Sequence, residues 1–320
     1  MKAFEYVRAT SVASATEHLG STAEERRVAK AGGIDILDLA KEGIVSPSRL
    51  VDLSRIEDLG AVDFDRSGTT LGAGLTLARL ATDERIRREY PALAQAAAEA
   101  ATPQIRSRAT LGGNLCQRPR CWYFRNEHLP CLKKGGSACP ALEGENQYHA
   151  IFGVRPCPMV HPSNLAVALL ALGTTVHVHG KQGSRHVPIE EFFISPETDV
   201  LRETCLAPDE IVTSIRLAAP EGTSAYGEIR EKQSFDWPLV SCAVAGTPGG
   251  EIRIALGAVA PVPRRATEAE AAVKGTRITP ELAAKAAEAA FAAATPLSKN
   301  GHKVKVGKAL VTDLLVKIGG

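Results

Sequence analysis

The chain has 320 residues, 44% hydrophobic and 23% charged, which allows two or three modest domains with cores of their own. A net charge of +2 gives no reason to expect a nucleic-acid or membrane-surface partner. No apolar run approaches the ~18 residues of a membrane-spanning helix.

The first eight residues hold Phe4-Glu5-Tyr6-Val7 in strand-like alternation and no apolar h-region, so no secretion signal of the chain's own is expected. Ser11 is placed to cap a short helix reaching residue 19. Residues 28–31 read as a strand that runs into Gly32-Gly33 and a helical start at Ile34-Asp35-Ile36-Leu37. Strand, glycine turn and helix in that order can aim backbone N–H groups at a phosphate, and the same residues can equally make a plain tight turn. Strands are expected at 50–53 and 69–73, the second ending in Gly72-Ala73-Gly74, and helices at 77–88 and 91–101. A second glycine turn follows at Thr110-Leu111-Gly112-Gly113-Asn114. None of the three fits G-x-G-x-x-G within a βαβ unit, which disfavours an ordinary Rossmann domain.

From Thr110 to Cys157 the sequence loses its periodicity and spends five of its seven cysteines: Cys116, Cys121, Cys131, Cys139 and Cys157. A loop of that length is normally functional or disordered, and the thiols with Trp122-Tyr123-Phe124 argue against disorder. In a chain without a signal, such cysteines point to metal ligands or free thiols before a disulfide framework. Their spacing, C-x4-C-x9-C-x7-C-x17-C, lacks the close pairs of structural zinc sites and fits neither ferredoxin pattern. Four thiolates of one loop can still converge on a [4Fe–4S] cluster. Spacing alone leaves an iron–sulfur cluster, zinc and merely packed thiols all open. Cys205 and Cys242 stand apart and read as small core hydrophobes.

Beyond the loop, His161-Pro162-Ser163 leads into an apolar helix at 164–172 and a strand at 174–179, whose His177 and His179 share one face and read as exposed strand residues. Segments 188–193 and 210–217 complete this part, and Ala218-Ala219-Pro220-Glu221-Gly222 suggests a boundary. Two apolar strands, 239–246 and 251–259, are joined through Thr247-Pro248-Gly249-Gly250, a hairpin signal. Helices are expected from Thr279-Pro280-Glu281 to 294 and over 307–318. There is no Ser-His-Asp or HExxH signature and no evident acid–base pair of carboxylates. The chain reads as a cofactor carrier.

Ala31-Gly32-Gly33-Ile34-Asp35-Ile36-Leu37 resembles the first FAD-phosphate motif of the flavoprotein subunits of the xanthine dehydrogenase and molybdenum hydroxylase family. Ala109-Thr110-Leu111-Gly112-Gly113-Asn114-Leu115 resembles the second motif and Ser163-Asn164-Leu165-Ala166 a third, in order and spacing that agree over essentially the whole chain. The run Gln117-Arg118-Pro119-Arg120-Cys121-Trp122-Tyr123-Phe124-Arg125 is similar to an insertion of the aldehyde oxidoreductase branch, and more loosely of 4-hydroxybenzoyl-CoA reductase, where it carries a [4Fe–4S] cluster.

The resemblance implies an α+β fold: a two-part FAD-binding domain at 1–219, with a cysteine-rich insertion at about 115–158, then a small α+β domain at 220–320. It implies that Lys30, Ala31, Gly32, Gly33, Ile34, Asp35, Ile36, Leu37, Thr76, Thr110, Gly112, Gly113, Asn114, Gln117 and Asn164 hold FAD, with backbone N–H groups and short side chains of 30–37 and 110–114 cradling the pyrophosphate and ribose. Val212 and Lys232 would flank the flavin ring, and Asn164 falls where many relatives have Asp. Cys121, Cys131, Cys139 and Cys157 fall on cluster-ligand positions, leaving Cys116 spare. The reductase's fourth cysteine would fall near Tyr148, which favours the aldehyde branch. Partners implied are a large subunit with a molybdenum cofactor, a small subunit with two [2Fe–2S] clusters, and an external electron acceptor. Assembly is expected in the cytoplasm, and transfer to the periplasm would need a partner's signal. Two rival readings stand beside this: the same role for an aromatic acyl-CoA, a purine or a heterocycle, and a zinc-stapled scaffold whose glycine turns are only turns.

Overall fold

In the computed structural model, which describes residues 1–220, 222–247 and 251–319, the chain builds three sheets. The first comes from Glu5–Arg8 (β1), Val12–His18 (α1), Arg27–Lys30 (β2), Ile34–Lys41 (α2) and Arg49–Asp52 (β3). β1 and β2 both lie parallel to β3, in the order β1-β3-β2. Ser11 caps α1 by accepting the Ser14 N–H, as its sequence position suggests. A buried pair closes the end of this sheet: Lys30 Nζ lies 3.1 Å from Asp52 Oδ1, and Tyr6 donates its hydroxyl to Asp52 Oδ2 at 2.5 Å.

The second sheet begins with Val62–Asp65 (β4) and Gly68–Gly72 (β5), followed by Leu77–Thr82 (α3), Glu84–Glu89 (α4), Pro91–Glu99 (α5), Pro103–Arg106 (α6) and Leu111–Leu115 (α7). The single helix expected over 77–88 is two helices. Asp83, at φ −64° and ψ 120°, ends α3 and accepts the Arg85 and Ile86 N–H groups to start α4. A side chain that competes for backbone donors breaks a helix that hydrophobic spacing reads as continuous. Asn164–Leu172 (α8), Thr175–Gly180 (β6), Gly183–Pro188 (β7), Ile189–Phe192 (α9) and Ile211–Ala218 (β8) complete this unit, an antiparallel sheet in the order β4-β5-β8-β6-β7. On it, His177 and His179 are both half-buried; the His177 ring stacks on His186, and His179 meets the Ser184 hydroxyl.

The third sheet, β12-β11-β10-β9, is antiparallel and made of Ser224–Ile229 (β9), Val240–Gly246 (β10), Ile252–Gly257 (β11) and Arg264–Arg265 (β12). Thr267–Val273 (α10), Pro280–Phe291 (α11) and His302–Gly319 (α12) cover one of its faces. Its strands read as continuously apolar because both faces are covered. Cys242, Val244, Ile254 and Leu256 point to the terminal helices, while Ala243, Ala245 and Ala255 join the core formed with α5 and α8. β10 and β11 pair with Gly246 opposite Ile252; of the expected Thr247-Pro248-Gly249-Gly250 turn, residues 248–250 lie outside the described residues. The last helix starts earlier than expected because Gly307 marks no boundary. A Cβ there would come 2.2 Å from the Phe291 ring, so glycine admits α11 against α12. No helix among the described residues is long and apolar enough to cross a membrane.

Between α7 and α8 the cysteine-rich loop keeps only two short 3-10 turns, Leu132–Lys134 and Pro140–Leu142. It is tied down on both sides. Arg118 and Lys133 bind Glu203 at 3.1 and 3.0 Å, and Asn146 contacts Ser298 and Lys299. Asn300 Nδ2 donates to the His149 and Ala150 carbonyls, and Lys303 Nζ to those of Tyr148 and Ala258, both at 2.8 Å.

Lys303 is fully buried, and burial pushes its pKa down to about 7. Unfolded, the same amine titrates near ~10.4. Between those values the unfolded chain binds a proton that the folded chain does not, so this residue makes stability rise with pH from about 7 towards ~10. Melting temperatures measured across that range should climb more steeply for the native protein than for Lys303→Met. Parallel slopes would refute the buried neutral amine.

Candidate functional site

A cavity of about 1550 Å³ opens where the first two sheets meet. Drug-sized ligands occupy ~300–1,000 Å³, so this one suits something larger. Its wall brings together residues far apart in sequence: Ala31, Gly32, Gly33, Ile34, Asp35 and Ile36 from the β2–α2 turn, then Thr76, Thr110, Gly112, Gly113, Asn114, Gln117, Asn164 and Val212. Three expected residues are not in that wall. Lys30 is engaged with Asp52. Leu37 packs a turn further along α2, near Gly33. Lys232 is exposed, 3.8 Å from Asp236, on a second cavity of about 430 Å³. The two cavities share Arg120, Asn164 and Trp237, with the Arg120 guanidinium 5.0 Å from the Trp237 ring centre.

The two glycine motifs work differently. Gly33 adopts φ 81° at the N-cap of α2, and no side chain caps this helix. Its first N–H groups and the positive end of its dipole are therefore left at the cavity wall, a setting that favours an anion. The second motif is not an open turn but the short helix α7, and its donors are spoken for. Leu111 N–H bonds Leu75 O, Gly112 N–H bonds Ala73 O, Gly113 N–H bonds Thr110 Oγ1 and Asn114 N–H bonds Thr110 O. Of the backbone N–H groups and short side chains expected to form the cradle, the N–H groups of the second motif are engaged within the protein, and its short polar side chains are what it leaves to the cavity. Nor are all the glycines made for a ligand. A Cβ on Gly32 would lie 2.0 Å from the Arg108 carbonyl oxygen, so Gly32 lets the first motif press against the turn that leads into the second. Gly112 clears Ala73 in the same way, at 2.9 Å. A Cβ on Gly113 would meet only the Thr110 hydroxyl, at 2.9 Å.

Sequence reading missed the arginines. Arg26, Arg27, Arg108, Arg118, Arg120, Arg185 and Arg202 all line the cavity, against Asp35, Asp38, Glu57 and Glu210. Arg27, Arg118, Arg120 and Arg185 are paired with Glu25, Glu203, Asp35 and Glu210, which leaves Arg26, Arg108 and Arg202 without an ion pair among the described residues, a setting that suits a pyrophosphate. No motif announces it, because the fold collects these residues from five separate segments. Asp35 accepts from Arg120 at 2.5 Å, Arg125 at 2.6 Å and the Arg118 N–H at 2.8 Å. Burial opposes its charge, but Arg120, the Arg118 N–H and Arg125 outweigh that and hold the carboxyl below its ordinary value. Asn164 donates to Tyr226 Oη at 3.0 Å and to Glu228 Oε2 at 2.6 Å. Burial raises the pKa of Glu228, so an aspartate at 164 would set a second carboxylate against it.

Of the seven cysteines, four share a distinct environment. Backbone N–H groups meet the sulfur of Cys121 (from Tyr123 and Phe124), Cys131 (from Lys133 and Lys134), Cys139 (from Ala141 and Leu142) and Cys157 (from Met159). These thiols also act on one another: Cys131 and Cys139 on Cys121, Cys139 on Cys131. The Cys157 S–H donates to the Cys139 sulfur, lowering Cys139 to about 7 and raising Cys157. Burial pushes Cys121 up to about 11. Cys116 is elsewhere; burial and the neighbouring Cys205 push it up to about 12, and both line the large cavity. Cys242 is a core residue, raised by burial alone. Among the described residues no three His, Cys, Asp or Glu side chains are closed up around a single metal ion.

Comparison with known proteins agrees with a flavin-holding fold. Residues 2–220 match the family described as the FAD binding domain in molybdopterin dehydrogenase, and residues 224–318 the CO dehydrogenase flavoprotein C-terminal domain. The chain is 35% identical over 322 residues to the aldehyde oxidoreductase FAD-binding subunit PaoB of Escherichia coli, covering 99% of this chain and 98% of that protein. It is 28% identical to the carbon monoxide dehydrogenase medium chain of Hydrogenophaga pseudoflava, over 92% of this chain and 88% of that one. A solved structure of carbon monoxide dehydrogenase from the same organism superposes with a TM-score of 0.76 at 26% identity, covering 99% of this chain and 97% of its own. The fold and its site define a flavoprotein component of an oxidoreductase. The chain belongs to the FAD-binding family of the molybdopterin dehydrogenases.

Gly113 gives the sharpest test of the cavity as the flavin site. A branched side chain there displaces no backbone and extends from a wall residue, so Gly113→Val should purify folded with flavin content cut several-fold. Full flavin occupancy in a variant of unchanged circular dichroism would count against the assignment.

Proposed function

We propose that this chain is the FAD- and [4Fe–4S]-carrying electron-transfer subunit of a three-subunit molybdenum aldehyde oxidoreductase. In this reading a large subunit holds the molybdenum cofactor and oxidises the aldehyde, and a small subunit with two [2Fe–2S] clusters delivers electrons to this chain. An external acceptor removes them. The observation that carries the reading is the set of four N–H-cradled sulfurs in a loop that walls the flavin cavity on one side. Burial raises Cys121 and Cys131 all the same, so the donors to sulfur lessen the cost of the thiolate that iron ligation needs. End-to-end likeness to an aldehyde oxidoreductase subunit supports the substrate class. Cytoplasmic assembly goes with this reading. We place the domain boundary at 219/220, supported by the family matches to 2–220 and 224–318.

When bound, the flavin and the cluster supply one- and two-electron exchange between the partner's centres and the acceptor. The residues here bind and tune. The open N-terminus of α2, with Arg26, Arg108 and Arg202, would hold the pyrophosphate, while Gly32 keeps the two motifs in contact. Cys121, Cys131, Cys139 and Cys157 would hold the cluster, with Cys116 left in the wall of the flavin cavity. Substrate acid–base chemistry has no candidate on this chain and falls to the large subunit.

Anaerobically purified protein should contain about one FAD, four iron and four sulfide per chain. Cys131→Ser should lose the iron and keep the flavin. Zinc without flavin would overturn the whole reading, and flavin without iron in the native protein would overturn its cluster half.

A further inference from the structure

One side chain adds a donor that the backbone pattern of the cysteine loop does not provide. His149 Nε2 lies 3.2 Å from Cys121 Sγ. The ring is 4% exposed and fixed from several directions. The backbone N–H of His149 bonds Asn146 O, its backbone carbonyl accepts from Asn300 Nδ2, and the Trp122 ring meets the imidazole edge-on at 5.7 Å. Its other nitrogen, Nδ1, is buried with no hydrogen-bond partner. A buried orphan N–H is costlier and rarer than an orphan acceptor, so the proton belongs on Nε2, where the sulfur can receive it.

We propose that His149 is a positioning and tuning residue for the cluster, its Nε2–H donating to the Cys121 sulfur; this rests on the [4Fe–4S] reading above. A hydrogen bond to a ligating sulfur stabilises the more negative, reduced state and raises the cluster's reduction potential. His149 thereby makes the cluster a better electron acceptor than the backbone cradle alone would. The same ring lines the smaller cavity beside Cys121, so the tuned sulfur lies next to the space that adjoins the flavin site through Arg120, Asn164 and Trp237.

The test is a redox titration of the whole chain, followed by electron paramagnetic resonance, with iron and sulfide assayed in the same samples. His149→Leu should keep its iron, while reduction becomes about tenfold less favourable, a fall of about 59 mV for a one-electron couple. His149→Gln, whose amide N–H can reach the same sulfur, should recover most of the shift. Full iron with an unchanged potential in His149→Leu would overturn the proposal. Loss of iron from both variants would also overturn it and make His149 a ligand. Iron-free native protein would instead overturn the cluster reading on which the proposal stands, and the native assay tells the two failures apart.

Discussion

Asp35 lies where two otherwise separate parts of the molecule meet. Its backbone belongs to the first turn of α2, beside the glycines of the first motif, and its carboxylate holds Arg120, Arg125 and the Arg118 N–H of the cysteine-rich loop. Removing one partner from such a buried cluster leaves charge uncompensated, which is far costlier than never having buried it. The cradle and the loop are therefore one construction. The loop cannot change its conformation without disturbing the helix end that offers its N–H groups to the cavity.

A comparable economy joins the two domains. α8 has no polar face: it lies between α5 on one side and β10 and β11 on the other, and the third sheet is covered on both faces. The C-terminal domain consequently forms part of the core that supports the cavity wall. Asn164 is the point where that support reaches the site, through Tyr226 and Glu228 on β9.

Local chemistry made much of this legible in the sequence. Ser11 and Thr279 cap helices where their residue types suggested, and the apolar run 164–172 is the helix α8. Where a residue served two purposes, the reading failed: Asp83 breaks a helix by capping its successor, Gly307 serves packing inside one, and Thr110 turns a glycine-rich turn into a helix. The motifs told correctly which segments line the cavity. They did not tell which glycines face a ligand and which face the protein, since that depends on what lies within 3 Å of a missing Cβ. The arginine surplus was invisible because no periodicity links residues that only the fold assembles. The difference between Cys116 and Cys121 lies in backbone donors, which spacing does not encode.

The last turn of the loop is fastened by residues near the other end of the chain: Ser298, Lys299, Asn300 and Lys303 grip Asn146, Tyr148, His149 and Ala150. On a ribosome those anchors are made after every cysteine of the set. A nascent chain therefore exposes its thiols before the structure that arranges them exists, and the loop closes only when α12 has been synthesised and docked. Timing is thus written into the topology: until the chain is complete, the thiols depend on the reducing conditions of the compartment where synthesis takes place.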